Sequence, residues 1–410
     1  MANTTLTADI IAKEALMILD NELVMAKQVF RGYENEFDKK VNGYEVGETI
    51  SIRRPTDFTV RDGAVASAQD VVEGKTTITV DKRKGVDFKF TSQDLTLKIS
   101  DLSERVIKPA MVQLANQVDR DVMALYADVP NWVGTPGQTI NAYADFAKAP
   151  ERLDELAVPS ERSAVLSPAD HWGLLGSQTA LYMQDVAKEA YRKGSLGEIG
   201  GVDTYMSQNV LTHTVGAYGG TPLIKGANQV SAYASVKDTM TQTLVTDGWT
   251  NATSVLRTGD VFTIANVYDV NPVTKATLPF LKMFTVKTDA TSDGSGNKTL
   301  TIHPAIITTG AFKNVSAAPA DNAAVTVMGS ASTGYRQNLV FNRNAFALVS
   351  VPLVSPPGAV DVARQSYKGL SVRVIPVYDG INDESLWRLD ILYGAKTLDP
   401  RLATRASGTP

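Results

Sequence analysis

The chain has 410 residues, 43% of them hydrophobic and 20% charged, a balance that suits two or three packed domains and excludes a disordered tail or a coiled coil. Its 40 Lys and Arg against 44 Asp and Glu leave a formal charge of −4, without the basic surplus of a phosphate-backbone binder. The sequence has no cysteine and only three histidines, His171, His213 and His303, which removes disulfides, thiolate nucleophiles and cysteine zinc sites.

No signal-peptide pattern opens the chain, and the longest apolar run, near Phe346 to Val354, is broken by Ser350 and Pro352. The expectation is a protein with no membrane partner, used inside a cell or in a particle assembled there.

Residues 1–44 read as an N-terminal arm. Thr7 can cap a helix on which Ile11, Ala15, Ile18 and Leu19 share one face. Two readings stand for that stripe: the inner face of an ordinary first helix, or an arm that docks on a neighbouring subunit.

Residues 45–91 read as a long β-hairpin. On the return leg Ile78, Val80, Val86, Phe88 and Phe90 share one parity and polar residues the other. A two-stranded ribbon of this length is marginal alone and needs a surface, its own body or another chain. Lys82, Arg83 and Lys84 form the most basic local cluster. They are either a charged edge that discourages strand pairing or an ionic contact to a neighbouring subunit.

A long helix is expected around 101–128, within a segment 92–130. Ser100 or Asp101 can cap it, and Ile107, Met111, Leu114, Val118, Val122 and Leu125 make its apolar stripe. Pro109 either starts a second helix or bends one long helix, which makes it a hinge candidate.

Residues 131–215 read as mixed α/β. Asp145 to Leu156 is helical with an interruption at Pro150, Ala164 to Leu166 is a strand, and Ser167-Pro168 opens a helix. Gln184 to Lys193 is a helix stopped by Gly194. From 216 to 335 the composition turns to Thr, Val, Gly, Asn and Ala. Strands are expected at Val230–Val236, Val261–Val267, Phe280–Val286, Lys298–His303 and Ala323–Met328, with a turn at Asp293–Asn297. This is the pattern of a small all-β barrel or sandwich inserted in another architecture. The mixed pattern resumes over 336–410, with strands near Ala345–Val351, Leu370–Pro376 and Trp387–Leu392.

The chemistry-bearing patterns are absent. Gly74-Lys75-Thr76 has Gln69 where a phosphate loop needs its first glycine. No serine has glycine on both sides at the spacing of a nucleophile elbow, and no His-Glu-x-x-His occurs. Asp289 to Asn297 lacks the alternating oxygens of a calcium loop. No catalytic, cofactor-binding or metal-ligating residue is expected, and no enzyme.

The order of arm, hairpin, long helix, mixed region, β insertion and return resembles the major capsid proteins of tailed double-stranded DNA phages, which have the Hong Kong 97-type fold. It is similar in particular to the coat proteins of Salmonella-type short-tailed phages, which carry an inserted β-barrel domain. The stretches that carry the resemblance are Glu189 to Gly194 with Gly201-Val202-Asp203, Leu256 to Ala265, Leu300 to Pro304, Asn338 to Val349, and Leu392 to Ala395 followed by Pro400 and Arg401.

The resemblance implies an α+β chain that self-assembles, as hexamers and pentamers, into an icosahedral shell around phage DNA. It further implies a precursor shell built in the host cytoplasm with a scaffolding protein and a portal protein, which then expands, and DNA enclosed without sequence readout. The hairpin contacts would be Ile78, Val80, Lys82, Arg83, Lys84, Phe88 and Phe90, the arm contacts Ile11, Ala15, Ile18 and Leu19, and the hinge Pro109. The rival readings are another virion component, a decoration or tail protein, and a β-rich hydrolase.

Overall fold

The computed structural model describes residues 8–33, 40–41, 44–45, 49–61, 63–65, 68–91, 103–178, 196–356, 362–367 and 369–410. The chain forms two compact units, one of residues 1–51, 77–123 and 346–396, the other of residues 52–76, 124–345 and 397–410. Helices and sheets segregate as in an α+β chain.

The first unit is a five-stranded antiparallel sheet with helices on one face. Its strands run Phe346–Ser350, Glu384–Thr397, Leu370–Asp379, Ala363–Tyr367, and Lys82–Thr91 pairs along Glu384–Thr397. Val372, Val374, Leu389, Ile391 and Tyr393 are fully buried on alternating positions of these strands. The helix Ala8–Glu22 packs on Ala363–Tyr367, on Leu370–Asp379 and on the helix Lys108–Met123. Met111, Leu114, Val118 and Val122 of the latter are at most 2% exposed, and each such side chain contributes about 1.5–3 kcal/mol by leaving water.

The long helix is not uniform. Ser103–Ile107 is a π-turn, the α-helix proper is Lys108–Met123, and Ala124–Asp128 tightens to a 3₁₀ turn. Pro109 therefore sits in the first α-helical turn, where a missing N–H is tolerated. It cannot donate to the carbonyl of Arg105, and its ring crowds that carbonyl, so the preceding turn widens.

The hairpin differs from the expectation. Thr49–Arg53 does pair with Lys75–Thr79, but Lys82–Thr91 pairs with Glu384–Thr397 and not with an outgoing leg. Alternation fixes which side chains share a face but not which strand lies alongside. Here the partner comes from near the other end of the chain, and Phe88 lies opposite Trp387 in a cross-strand aromatic pair.

Among the described residues the second unit holds two six-stranded sheets and smaller two-stranded ones. One six-stranded sheet runs Trp132–Val133, Ala403–Ala406, Asn338–Asn342, Arg162–Leu166, Val202–Met206, Glu198–Ile199. The helices Tyr143–Glu155 and Pro168–Gln178 complete its core with Phe146, Leu153 and Leu174. Pro150 does not interrupt the first helix, which runs through it. Ser167 caps the second, its Oγ accepting the Asp170 N–H at 3.3 Å.

The other sheet runs Gly220–Ile224, Gln242–Trp249, Lys298–His303, Thr277–Val286, Val261–Val270, Val325–Val327. Its first strand meets its last through a Leu223–Ala324 bridge and hydrogen bonds from Ile224 to Ala323 and from Asn322 to Ile224, both 2.9 Å, which closes a barrel. Leu244, Trp249, Phe262, Phe284, Leu300 and Ile302 fill it. The chain enters and leaves through Thr212–Thr214 and Gly334–Arg336, which pair directly. Val230–Val236, expected as a strand, instead ends in a short helix, Tyr233–Val236. The expected helix at Gln184–Lys193 with its Gly194 stop, and the Thr7, Ser100 and Asp101 caps, lie outside the described residues.

Candidate assembly surfaces

The arm stripe is covered by the chain itself. Ile11, Ala15 and Leu19 are at most 1% exposed and Ile18 is half-buried, so these four are not a free contact surface, contrary to the subunit-docking reading. Burial within one chain avoids the entropy that association with a second chain costs. The face that this helix leaves in water carries Ile10 and Met17, 44% and 58% exposed.

Asp119 ties the arm to the long helix. Its carboxylate is buried and accepts the backbone N–H groups of Val24 at 2.7 Å and Ala26 at 2.9 Å. Burial pushes its pKa up to about 6, with those N–H bonds opposing the rise.

On the return strand Ile78 and Val80 are also buried, which corrects their assignment as contact residues. Phe88 and Phe90 are half-buried, their rings 5.5 Å apart edge to face. Lys82 Nζ lies 3.3 Å from Asp121 Oδ2, which also accepts the Tyr393 hydroxyl at 2.8 Å. Arg83 donates to Asp390 at 2.8 Å. Two members of the basic triplet thus meet carboxylates of their own chain, and Lys84 is half-buried.

The outgoing strand ends at Arg53, so Phe58 and Val60, expected on that leg, lie in the segment between the legs. Arg54 N–H donates to Gly74 O at 2.8 Å, and Gln69 bridges to the Thr59 backbone in both directions, at 2.9 and 2.6 Å. Lys75 N–H donates to Asp238 at 3.0 Å, and a Cβ on Gly74 would sit 2.3 Å from the Lys237 carbonyl, so only glycine permits this approach. Above this base Phe58, Val60, Val65 and Val71 are 57%, 98%, 84% and 63% exposed. The signal in the sequence was four large apolar residues within a stretch of small and polar ones.

At the barrel's neck, His213 places Nδ1 3.0 Å from the Tyr126 hydroxyl and Nε2 2.7 Å from Asp260 Oδ1. Arg405, fully buried, donates to Val129 O, Gly259 O and Gln337 Oε1, and lies over the rings of Tyr126 and Trp132 at 5.2 and 5.6 Å. Burial lowers its pKa to about 10. Of the other two histidines, His303 ends a barrel strand and His171 lies in the capped helix, both buried.

The chain is similar to the major capsid protein of Acyrthosiphon pisum secondary endosymbiont phage 1, 23% identical with 98% of each chain covered. Among solved structures it aligns with a chain of Mycobacterium phage Che8 (15% identity, 93% and 90% covered, TM-score 0.49). It also aligns with the CUS-3 coat protein I-domain (27% identity, 27% of this chain and 98% of that one, TM-score 0.20). A model of the P22 coat protein, gene protein 5, matches residues 1–405. The molecule is a tailed-phage major capsid protein that forms the shell of the virion, a structural protein and not an enzyme. It belongs to the P22 coat protein family.

Proposed function

We propose that this chain builds a precursor shell of hexamers and pentamers in the host cytoplasm, with a scaffolding protein and a portal protein, and that the shell expands as it encloses double-stranded DNA. The exposed apolar tip carries this reading. A soluble monomer rarely leaves Phe58, Val60, Val65 and Val71 together in water, and such a patch marks a partner surface. In this proposal the tip docks on a neighbouring copy, Phe88 and Phe90 stiffen the strand Lys82–Thr91, and the outer face of the arm helix adds Ile10 and Met17. Many modest contacts of this kind give a closed shell without any single strong bond. Pro109, next to the π-turn, is the hinge of the expansion. The barrel folds as a unit over 216–335 and steadies subunit geometry. DNA is confined sterically, in keeping with the net charge of −4.

Negative-stain microscopy of the expressed chain, with and without scaffolding protein, tests the reading. Closed shells are expected from the unsubstituted chain, and soluble monomers of unchanged Tm from Val60→Asp/Val65→Asp. Shells from that variant at full yield would overturn the role of the tip.

A further inference from the structure

The face of the first unit's sheet opposite its helices, partly covered where Arg373 Nη1 donates to the Val354 carbonyl at 2.6 Å, carries more positive charge than the carboxylates of the described residues neutralise. Asp390, 1% exposed, receives three guanidinium groups on one oxygen. Arg373, Arg83 and Arg388 approach Oδ2 at 2.5, 2.8 and 3.0 Å. The Arg373 side chain is itself 7% exposed and completes a one-to-one buried pair with Asp390, so the other two arginines are in excess. Asp87 offsets Arg388 weakly, at 3.8 Å. Arg364, exposed, lies directly opposite Arg373 across the strands, a like-charge pairing that destabilises a sheet unless an anion intervenes. The Arg373 Nε is buried without a hydrogen-bond partner among the described residues. Gly85 makes room for the cluster, since a Cβ there would meet Asp390 Oδ1 at 2.6 Å. Among the described residues Arg83, Arg373 and Arg388 thus share two carboxylates with Arg364 alongside, and the side chains of Arg83 and Arg388 remain 47% and 45% exposed.

We propose that this arginine cluster is a carboxylate-binding patch that receives an Asp or Glu side chain of a second copy of the chain. The inference rests on the shell-assembly reading and names a contact within it. An oxyanion fits the site by charge and by the planar fork of guanidinium. The neighbours select a protein carboxylate over a nucleic-acid phosphate. Val377 and Leu386 face each other across the strands beside Arg388 and are 48% and 39% exposed. Exposed apolar side chains flanking arginine are what the core of a protein interface holds, whereas a phosphate backbone gains nothing from them. The chain, with more acids than bases, supplies the carboxylate.

Arg83→Lys and Arg388→Lys keep the charge and introduce an amine that a zero-length carbodiimide couples to a touching carboxylate. Particles assembled from an equal mixture of ¹⁴N and ¹⁵N copies of these variants are treated and analysed by peptide mass spectrometry, in DNA-free and DNA-filled forms. The expected result is the introduced amine at position 83 or 388 coupled to an Asp or Glu in mixed-isotope pairs, in particles and not in unassembled chains. Particles in which coupling occurs only within one chain overturn the proposal, as does inter-copy coupling lost on DNA filling, which would make phosphate the occupant. In a second measurement, Arg83→Gln/Arg388→Gln is expected to lower particle yield by at least about tenfold, as loss of interface arginines does, with the monomer Tm within a few degrees of wild type. Wild-type yield from that variant overturns the patch. Failure of the unsubstituted chain to form particles at all overturns the shell reading and the patch with it.

Discussion

His213 and Asp260 form a buried pair, Nε2 to Oδ1 at 2.7 Å, that joins the neck strand Thr212–Thr214 to the barrel. The other carboxylate oxygen of Asp260 accepts the backbone N–H groups of Arg257 at 2.7 Å and Gly216 at 3.0 Å. Removing the carboxylate orphans three donors in a site that water does not reach. Asp260→Ala is expected to cost about 3–5 kcal/mol, since each buried donor left without its acceptor costs about 1–3 kcal/mol. Urea unfolding of the full chain, followed by tryptophan fluorescence, measures it. A loss below about 1 kcal/mol would show that the neck is held by packing alone.

Gly85 sits opposite Asp390 in the sheet, where an added methyl would lie 2.7 Å from the Leu389 carbonyl as well as against the carboxylate. Gly85→Ala therefore forces Lys82–Thr91 away from its partner strand. A destabilisation of about 1–3 kcal/mol is expected, the range for overpacking. Hydrogen exchange should show the amides of residues 82–91 losing protection before those of the barrel, and uniform loss would count against a local effect.

Asp119 gives the first unit a pH dependence with a defined sign. Its pKa is about 6 in the fold and about 4 in an unfolded chain. Between those values the folded state holds the extra proton, so stability falls as pH rises from about 4 to about 6 and is level outside that window. The drop is on the order of 3 kcal/mol. In Asp119→Asn it disappears, and thermal melts at half-unit pH steps, compared between variant and wild type, read the difference directly. Equal slopes in the two proteins would contradict the assignment.

His303 acts with the opposite sign. Burial first, and Lys287 second, lower its pKa to about 3. The unfolded chain then takes up a proton below about pH 6.5 that the fold refuses, and stability is lost as pH falls from there toward 3. Replacing it with neutral glutamine (His303→Gln) should flatten that acid limb in melts over the same range, whatever the variant costs at neutral pH.

Pro109→Ala restores an N–H that can bond to the Arg105 carbonyl, so the π-turn Ser103–Ile107 is expected to convert to α-helix. If that turn is the hinge, precursor shells of the variant expand more slowly than wild type on mild heating, as followed by native gel mobility. Expansion at the wild-type rate would remove Pro109 from the mechanism.

The long-helix stripe from Ile107 through Val122, the Ser167-Pro168 helix start and the barrel strand Lys298–His303 were legible from local pattern, because backbone periodicity and capping are local physics. So was the order of elements that resembles a capsid protein. Partner choice was not. The alternation of Lys82–Thr91 specifies two faces but no neighbour, and it took the fold to set that strand against Glu384–Thr397. For the same reason the stripe of Ile11, Ala15 and Leu19 reads equally as an inner face or as a docking surface, Ile78 and Val80 were expected as contacts to another subunit, and all five are covered by their own chain. An apolar stripe must be buried somewhere, and its sequence is the same whichever chain supplies the cover. The arginines around Asp390 stand at positions 83, 373 and 388, and only long-range strand pairing brings their charges to one oxygen.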